Sequence, residues 1–422
     1  MENEREALVF DKLLSKIRAL GFLKKRGKQR TDSTHVIGVV RKLSRLELVT
    51  ETLRVTLRAI KGADESWYRR VLLAAFCEVY VETRRDYRLG QAEREAALCK
   101  AGEDGFWLLE HIDRHSPAAV RELDKVQTMR TIWEQQYERV EGRTVAREKM
   151  EVNAKDLIVS PHEPEVRAAQ KRGQKWLGTR VHLTETAYTA EELEGEPNFI
   201  TDVTTDVAPA GDNEALSEIR QNLEGRDLKP QEQTVDAGYI SGQSMAESRA
   251  DGVELIGPAR PDPSPSGFQL ADFQIDLEQQ QATCPAGCHP VRWSQTQGVD
   301  DRQITRIRFG EQCTTCPFLG EGQCTQSNRG RTLTVREYYP ELAARREEEK
   351  RPEFWQKMKR RPPVEGTISE FVRRHGGRRW RHRGFEKTHL QNLFKGAAIN
   401  LKRLIQALKV RQQRMAMAQA AG

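Results

Sequence analysis

The stretch from Gly178 to Gly257 constrains the fold more than any other part of this chain. Gly178-Thr-Arg-Val-His-Leu-Thr-Glu-Thr186 alternates with a period of two. Phe199-Ile-Thr-Asp-Val-Thr-Thr-Asp206 does the same after the turn-like Glu194-Gly-Glu-Pro-Asn198, which predicts a β-hairpin. Asp212 and Asn213 read as caps of a short helix over 214–223. Gln233-Thr-Val-Asp236 reads as a short strand, followed by a glycine-containing turn and a helix, and Val253-Glu-Leu-Ile-Gly257 as another buried strand. Together these predict an α/β fold of the mixed α+β kind, a mixed sheet flanked by helices. Open sheets place their sites at the C-terminal edges of strands, so Asp236 is a candidate functional residue, beside its ordinary reading as a turn aspartate.

Upstream, residues 1–30 read as an amphipathic helix and a basic connector. Thr31 to Val40 is rich in β-branched residues and reads as a strand that hands over to a helix near Arg41. Asp32 lies in that strand, where it reads equally as a functional acid or as a cap of the next helix. Residues 41–154 have helical spacing and carry no evident chemistry, so they read as an insertion between core strands at 31–40 and 155–257. Residues 258–330 open with a loop rich in Pro, Asp, Ser and Gly. They continue into a cysteine module, Cys284-Pro-Ala-Gly-Cys288-His289, Cys313-Thr-Thr-Cys316 and Cys324. Two knuckle-like turns separated by a β-rich stretch match the spacing of a tetrahedral Zn²⁺ site. Cys284, Cys313, Cys316 and Cys324 are the best four ligands, with Cys288 and His289 as substitutes; unligated cysteines are the alternative.

The last segment, 331–422, is basic. From Arg329 onward 24 Lys plus Arg face 9 Asp plus Glu, a net +15, which leaves −8 for the rest of a chain of net +7. A basic tail on an acidic body points to a polyanionic partner. Within it stands an isolated acid, Glu365, at the expected start of a helix with Ile368, Phe371 and Val372 on one face. Pro362 and Pro363 are expected to hold the approach extended. Arg361, Arg373, Arg374, Arg378 and Arg379 surround this carboxylate, a combination suited to a phosphodiester: the arginines hold the polyanion and the acid holds a divalent cation over it. The loop Gly376 to Gly384 adds Trp380, Arg381 and Arg383, with Lys387 after it, for phosphate contact and base stacking. A final helix from Lys387 to about Arg414 is expected to turn Leu390, Leu393, Phe394, Ala397, Leu401, Leu404 and Leu408 inward. No apolar run is long enough to span a bilayer and no secretory leader opens the chain, so a cytoplasmic location with reduced or metal-bound cysteines is expected.

Three acids in the order Asp32, Asp236, Glu365, in strand, strand and helix contexts, resemble the DDE transposases of bacterial insertion sequences. The resemblance lies in Gln29-Arg-Thr-Asp-Ser-Thr-His35, Val181-His-Leu-Thr-Glu-Thr186, Val235-Asp-Ala-Gly-Tyr239, Cys313-Thr-Thr-Cys-Pro317, Val364-Glu-Gly-Thr-Ile-Ser-Glu370, the arginine-rich loop and Lys387-Thr-His-Leu-Gln391. It implies a ribonuclease H-like sheet, and Asp32, Asp236 and Glu365 as ligands of two Mg²⁺ or Mn²⁺ ions. It also implies strand cleavage and transfer on double-stranded DNA (transposon ends and target), and a homodimer on DNA at the nucleoid. Arg361 matches the arginine of the family's Tyr-Arg-Glu-Lys signature, whereas Met358 and Val372 stand where its Tyr and Lys are expected. Relatives carry a further helical DNA-binding region ahead of the segment that begins here, so a truncated chain is expected. A non-catalytic DNA-binding remnant and a general metal-dependent nuclease are the rival readings.

Overall fold

A computed structural model describes residues 7–421 except 72–75, 77, 83–88, 149–151, 172, 262–266, 299–302, 321–322, 326 and 328. Its centre is a six-stranded mixed sheet. β1 (Lys28–Ile37) lies between β5 (Gln174–Thr186), antiparallel to it, and β7 (Glu232–Thr234), parallel to it; β8 (Glu254–Ile256) continues the parallel side. β4 (Arg167–Lys171) and β6 (Ile200–Val207) both pair antiparallel with β5, β4 along its first half and β6 along its second. The order β6-β5-β1-β7-β8, antiparallel then parallel, is the ribonuclease H-like arrangement. β5 runs for 13 residues, long enough to pair with β4 over 174–178 and with β6 over 179–185. Gly178 sits where the two meet: its φ is +155°, and an added Cβ would stand 2.0 Å from the Val36 carbonyl oxygen.

Between β1 and β4 the chain makes a helical block with an apolar core of its own. Leu53, Leu57 and Ile60 of α2 (Arg45–Ala63), Leu108 and Ile112 of α3 (Gln91–His115), and Ile132 and Trp133 of α4 (Asp124–Gln136) are all fully buried there. Ser44 caps α2 reciprocally with Glu47, so Asp32, inside β1, is not a cap. The block also contains a small hairpin, β2 (Tyr137–Val140) and β3 (Arg143–Ala146), that helical spacing does not predict.

After β8 a separate module forms, with β9 (Gln274–Asp276) paired to β10 (Gln281–Thr283), and β11 (Arg292–Gln297), β12 (Gln303–Arg308) and β13 (Thr332–Arg336) making a second small sheet. The start of the basic tail thus belongs to this sheet. Helices α7 (Tyr339–Glu349), α8 (Pro352–Met358) and α9 (Pro363–Arg373) follow. Pro362 is helical rather than extended (φ −50°, ψ −36°), because a proline with no N–H to satisfy fits the first turn of a helix.

The closing helix α10 (Phe385–Ala421) packs on α1 (Leu8–Ala19) and β6. Its rotation differs from the expected one. Leu393, Ala397, Leu404 and Ala407 face the core, while Phe394, Leu401 and Leu408 are 49%, 51% and 39% exposed. Asn400 fixes this roll: its side chain both accepts from the Ile200 N–H (2.8 Å) and donates to the Ile200 carbonyl (2.7 Å), a buried pairing that apolar spacing does not reveal. Among the described residues no helix is long and apolar enough to cross a membrane.

Candidate active site

Sheet register places the first two acids together. β1 and β7 run parallel with Arg30 opposite Thr234, so two residues further along each chain Asp32 comes level with Asp236. Val235, just before Asp236, keeps the pairing going by donating its N–H to Ile256 O. Asp236 Oδ1 then accepts the Gly238 N–H at 2.8 Å, closing the turn.

Glu365 arrives from α9, and two buried ties fix that helix on the sheet. Arg30 donates to the Arg360 carbonyl (2.9 Å) and to Glu185 Oε1 (2.7 Å). Glu185, fully buried on β5, accepts from Thr367 Oγ1 (2.6 Å) and from Arg403 of α10 (2.7 Å). The turn Arg361–Glu365 is thus held at both ends. A buried carboxylate with three donors is satisfied, and its two guanidinium partners need it equally.

All three acids meet at one guanidinium. Arg361 stands 2.9 Å from Asp32 Oδ2, 3.2 Å from Glu365 Oε1 and 3.9 Å from Asp236 Oδ2. The acids grade outward, their side chains 13%, 40% and 68% exposed in the order Asp32, Asp236, Glu365. Burial pushes Asp32 up to about 6 despite Arg361 and the Ser33 N–H, and the charges of Asp236 and Asp212 push the same way. Arg361 therefore offsets only part of the cost of burying that charge.

Beneath Asp32 lies a buried polar network, including one acid that reads from sequence only as a helix cap. Asp212 does not cap: the helix α5 (Leu216–Gly225) begins later without a side-chain cap. Asp212 Oδ1 instead accepts from Ser33 Oγ (2.7 Å) and from Arg180 (2.8 Å). A Cβ on Gly238 would touch both Asp212 Oδ2 and Asp236 Oδ1, so only a glycine lets these carboxylates share that ground. Behind them His182 Nδ1 hydrogen-bonds the Tyr239 hydroxyl at 2.7 Å. Burial lowers His182 to about 4 and raises Tyr239 well above its ordinary range, so both stay neutral. Nothing in the spacing of Arg180, His182 and Asp212 marks them in advance, because they gather only when β5 and β6 pair.

The donor set is three carboxylates, which suits a hard cation such as Mg²⁺ or Mn²⁺. Among the described residues no group of three or more His, Cys, Asp or Glu side chains is gathered closely enough to hold a metal ion. Arg361 stands between the acids, and its buried Nε has no hydrogen-bond partner among the described residues. The acids supply the donor chemistry for a hard cation but are not gathered around one while the guanidinium stands between them.

The basic residues divide into two sets. Arg373, Arg374, Arg379, Arg381, Arg383 and Lys387 are exposed. Arg378 instead donates to Thr34 Oγ1 and the His35 carbonyl, and Arg361 faces the acids. Trp380 is 3% exposed and its indole N–H donates to Thr179 Oγ1. Its backbone N–H donates to Ile37 O. The ring that sequence offered for base stacking is a core residue tying the loop to β1. The cysteines Cys284, Cys288, Cys313, Cys316 and Cys324 all border one cavity in the small module.

Residues 283–405 match the family model described as a transposase DDE domain. The matched segment contains Glu365, the cysteine module and the basic loop but neither Asp32 nor Asp236. No curated protein and no solved structure matches the chain. The match supports a DDE transposase.

Proposed function

We propose that the chain is an insertion-sequence DDE transposase that cleaves DNA strands and joins them to a target, with Asp32, Asp236 and Glu365 as its carboxylate triad. The observation that carries this reading is the convergence of these three acids, from two adjacent strands and a helix, on the single guanidinium of Arg361. Mg²⁺ or Mn²⁺ ions bound by the triad would supply Lewis acidity at the scissile phosphate and lower the pKa of the attacking hydroxyl or water. The chain's own residues do the rest. Asp32, the most buried acid, anchors the site to the sheet, and the Ser33–Asp212–Arg180 network holds its strand in place. Glu365, the most exposed, sits where a strand entering from solvent would reach it. Arg373, Arg374, Arg379, Arg381, Arg383 and Lys387, all exposed, offer phosphate contacts. Arg361, released from the acids, would be positioned to hold a phosphate beside them.

The test is cleavage of supercoiled or element-end DNA in Mg²⁺ and in Mn²⁺ by the wild type and by Asp236→Asn. Cleavage by the wild type that is lost in the variant, with DNA binding retained, is the expected result. Cleavage surviving in Asp236→Asn would overturn the triad. The position of Arg361 favours one second reading, a DNA-binding remnant whose acids stay neutralised by the arginine. DNA binding by the wild type without cleavage under either cation would select it.

A further inference from the structure

The cysteine module poses a separate question: what holds together a unit built from five short strands. Its buried core is small, six of the described residues with Phe273, Ile307 and Phe309 among them, too little for a stable unit of this size by apolar burial alone. Beside that core lies a cavity of about 20 Å³, room for roughly one water-sized sphere. Among the described residues five thiols border it and no carboxylate does. Phe268 and Phe318, packed edge to face at 5.1 Å, wall one side. Thiol-rich, carboxylate-free surroundings select a soft or borderline cation.

The backbone around the cavity is already folded into metal-type knuckles. Cys316 donates its N–H to the Cys313 carbonyl at 3.2 Å. The Cys288 N–H points at Cys284 Sγ at 3.3 Å, the kind of amide-to-sulfur bond that stabilises a thiolate. Cys324 comes from a third segment pinned on both sides. The Phe268 N–H donates to Gln323 O at 2.7 Å, and Arg331 donates to the Cys324 carbonyl at 2.5 Å. A dianionic four-thiolate centre would have that guanidinium close by to offset one charge.

We propose that this cavity binds one tetrahedral divalent cation, Zn²⁺ by the chemistry of its donors, through Cys284, Cys313, Cys316 and Cys324, and that the ion holds the module together. Cys288 serves as the amide donor to a ligand sulfur rather than as a ligand. Each coordinating thiol gives its proton to solvent as its sulfur–metal bond forms. The thiols surround the cavity without closing on its centre, so binding draws them inward by side-chain rotation. The inference is independent of strand cleavage, since it concerns residues apart from the acids.

The experiment uses the full chain, loaded with Zn²⁺, desalted and assayed for bound metal by mass spectrometry, with Co²⁺ as a spectroscopic substitute. One retained ion per chain, and Co²⁺ absorption with thiolate charge-transfer bands and tetrahedral ligand-field bands, are expected. Cys288→Ser and Cys99→Ser should each keep the full equivalent, and Cys316→Ser should lose it. Stripping the wild type with a chelator should open the segment 274–336 to protease while the far-UV signal of the sheet and helices persists. A wild-type chain that retains no metal, or a Cys313→Ser/Cys316→Ser chain that retains a full equivalent, would overturn the proposal. So would octahedral, sulfur-free Co²⁺ spectra. None of these readouts depends on DNA cleavage, so failure here and failure of the transposase reading are told apart.

Discussion

Arg361 Nη2 donates to Asp32 Oδ2 at 2.9 Å across 329 residues of chain. This one bond joins the first strand of the sheet to the helix that carries Glu365, and it makes Arg361 the counterion of an acid that burial has left reluctant to ionise.

That reluctance should be visible as a pH-dependent stability. Asp32 is raised from 3.8 to about 6 in the folded chain, so its protonated form favours folding and its ionised form opposes it. At about pH 3, below both values, the acid is mostly protonated whether the chain is folded or not, and almost no penalty arises. As pH climbs from about 4 to 6 the folded state is progressively destabilised, by up to about 3 kcal/mol above that window, from roughly 1.4 kcal/mol per pKa unit. Asp32→Asn should therefore melt higher than wild type at pH 7 and approach it at about pH 3, measured by calorimetry without divalent cations. A variant that melts lower at pH 7 would contradict the assigned environment.

Glu185 should matter to stability more than any exposed ion pair. It is fully buried and bonded to Arg30, Arg403 and Thr367. Removing it leaves two guanidiniums without their carboxylate in a poorly hydrated place. Glu185→Ala should cost about 3–5 kcal/mol, read from denaturant titration, and should loosen the Arg361–Glu365 turn. By contrast, Arg69→Ala breaks only the exposed pair with Glu65 and should change stability by less than about 1 kcal/mol.

Gly178 offers a test of the sheet. A methyl group there would run into the Val36 carbonyl and the Gly38 N–H, 2.0 and 2.8 Å from the new Cβ. Gly178→Ala should lose on the order of 3 kcal/mol or more, since neither obstacle is a movable side chain. Gly173 also has positive φ, +80°, but meets nothing within 4 Å, so Gly173→Ala should cost only about 1 kcal/mol. Equal losses at the two positions would show that conformation rather than crowding decides.

The division of the basic residues predicts two kinds of arginine variant. Arg373→Ala, Arg374→Ala and Arg379→Ala should each weaken DNA binding and lower the slope of log affinity against log salt by about 0.9. Arg378→Ala should leave that slope unchanged and instead lower the melting temperature, because its guanidinium bonds Thr34 and His35. Fluorescence anisotropy across a salt series separates the two.

The strands at Gly178–Thr186 and Phe199–Asp206 were legible because alternation is a local signal that pairing only completes. The same holds for the helices at 45–63 and 363–373, whose apolar spacing and flanking residues act within a turn or two. The fate of single polar residues was not legible. Trp380 looks like an exposed aromatic in an arginine-rich loop, and only its pairing with Thr179 and Ile37 takes it into the core. Asp212 looks like a cap until β1 brings Ser33 to it. The roll of α10 is set by Asn400, a residue that counts against burial on any hydropathy scale. In each case the decisive partner lies more than 170 residues away.

β1 lies at the middle of the sheet, yet its antiparallel partner β5 lies beyond the whole helical block, Gln29 pairing with Thr186. During synthesis β1 therefore emerges roughly ten seconds or more before β5 can pair with it, at some 5–20 residues per second. The helical block, with its own core, can fold in that interval and hold the waiting strand's C-terminal end. The bare edges of β1 are then open to other strands, including those of a neighbouring nascent chain. Expression yield should accordingly depend on how fast residues 41–186 are translated, and slow codons placed there should favour aggregation over the folded sheet.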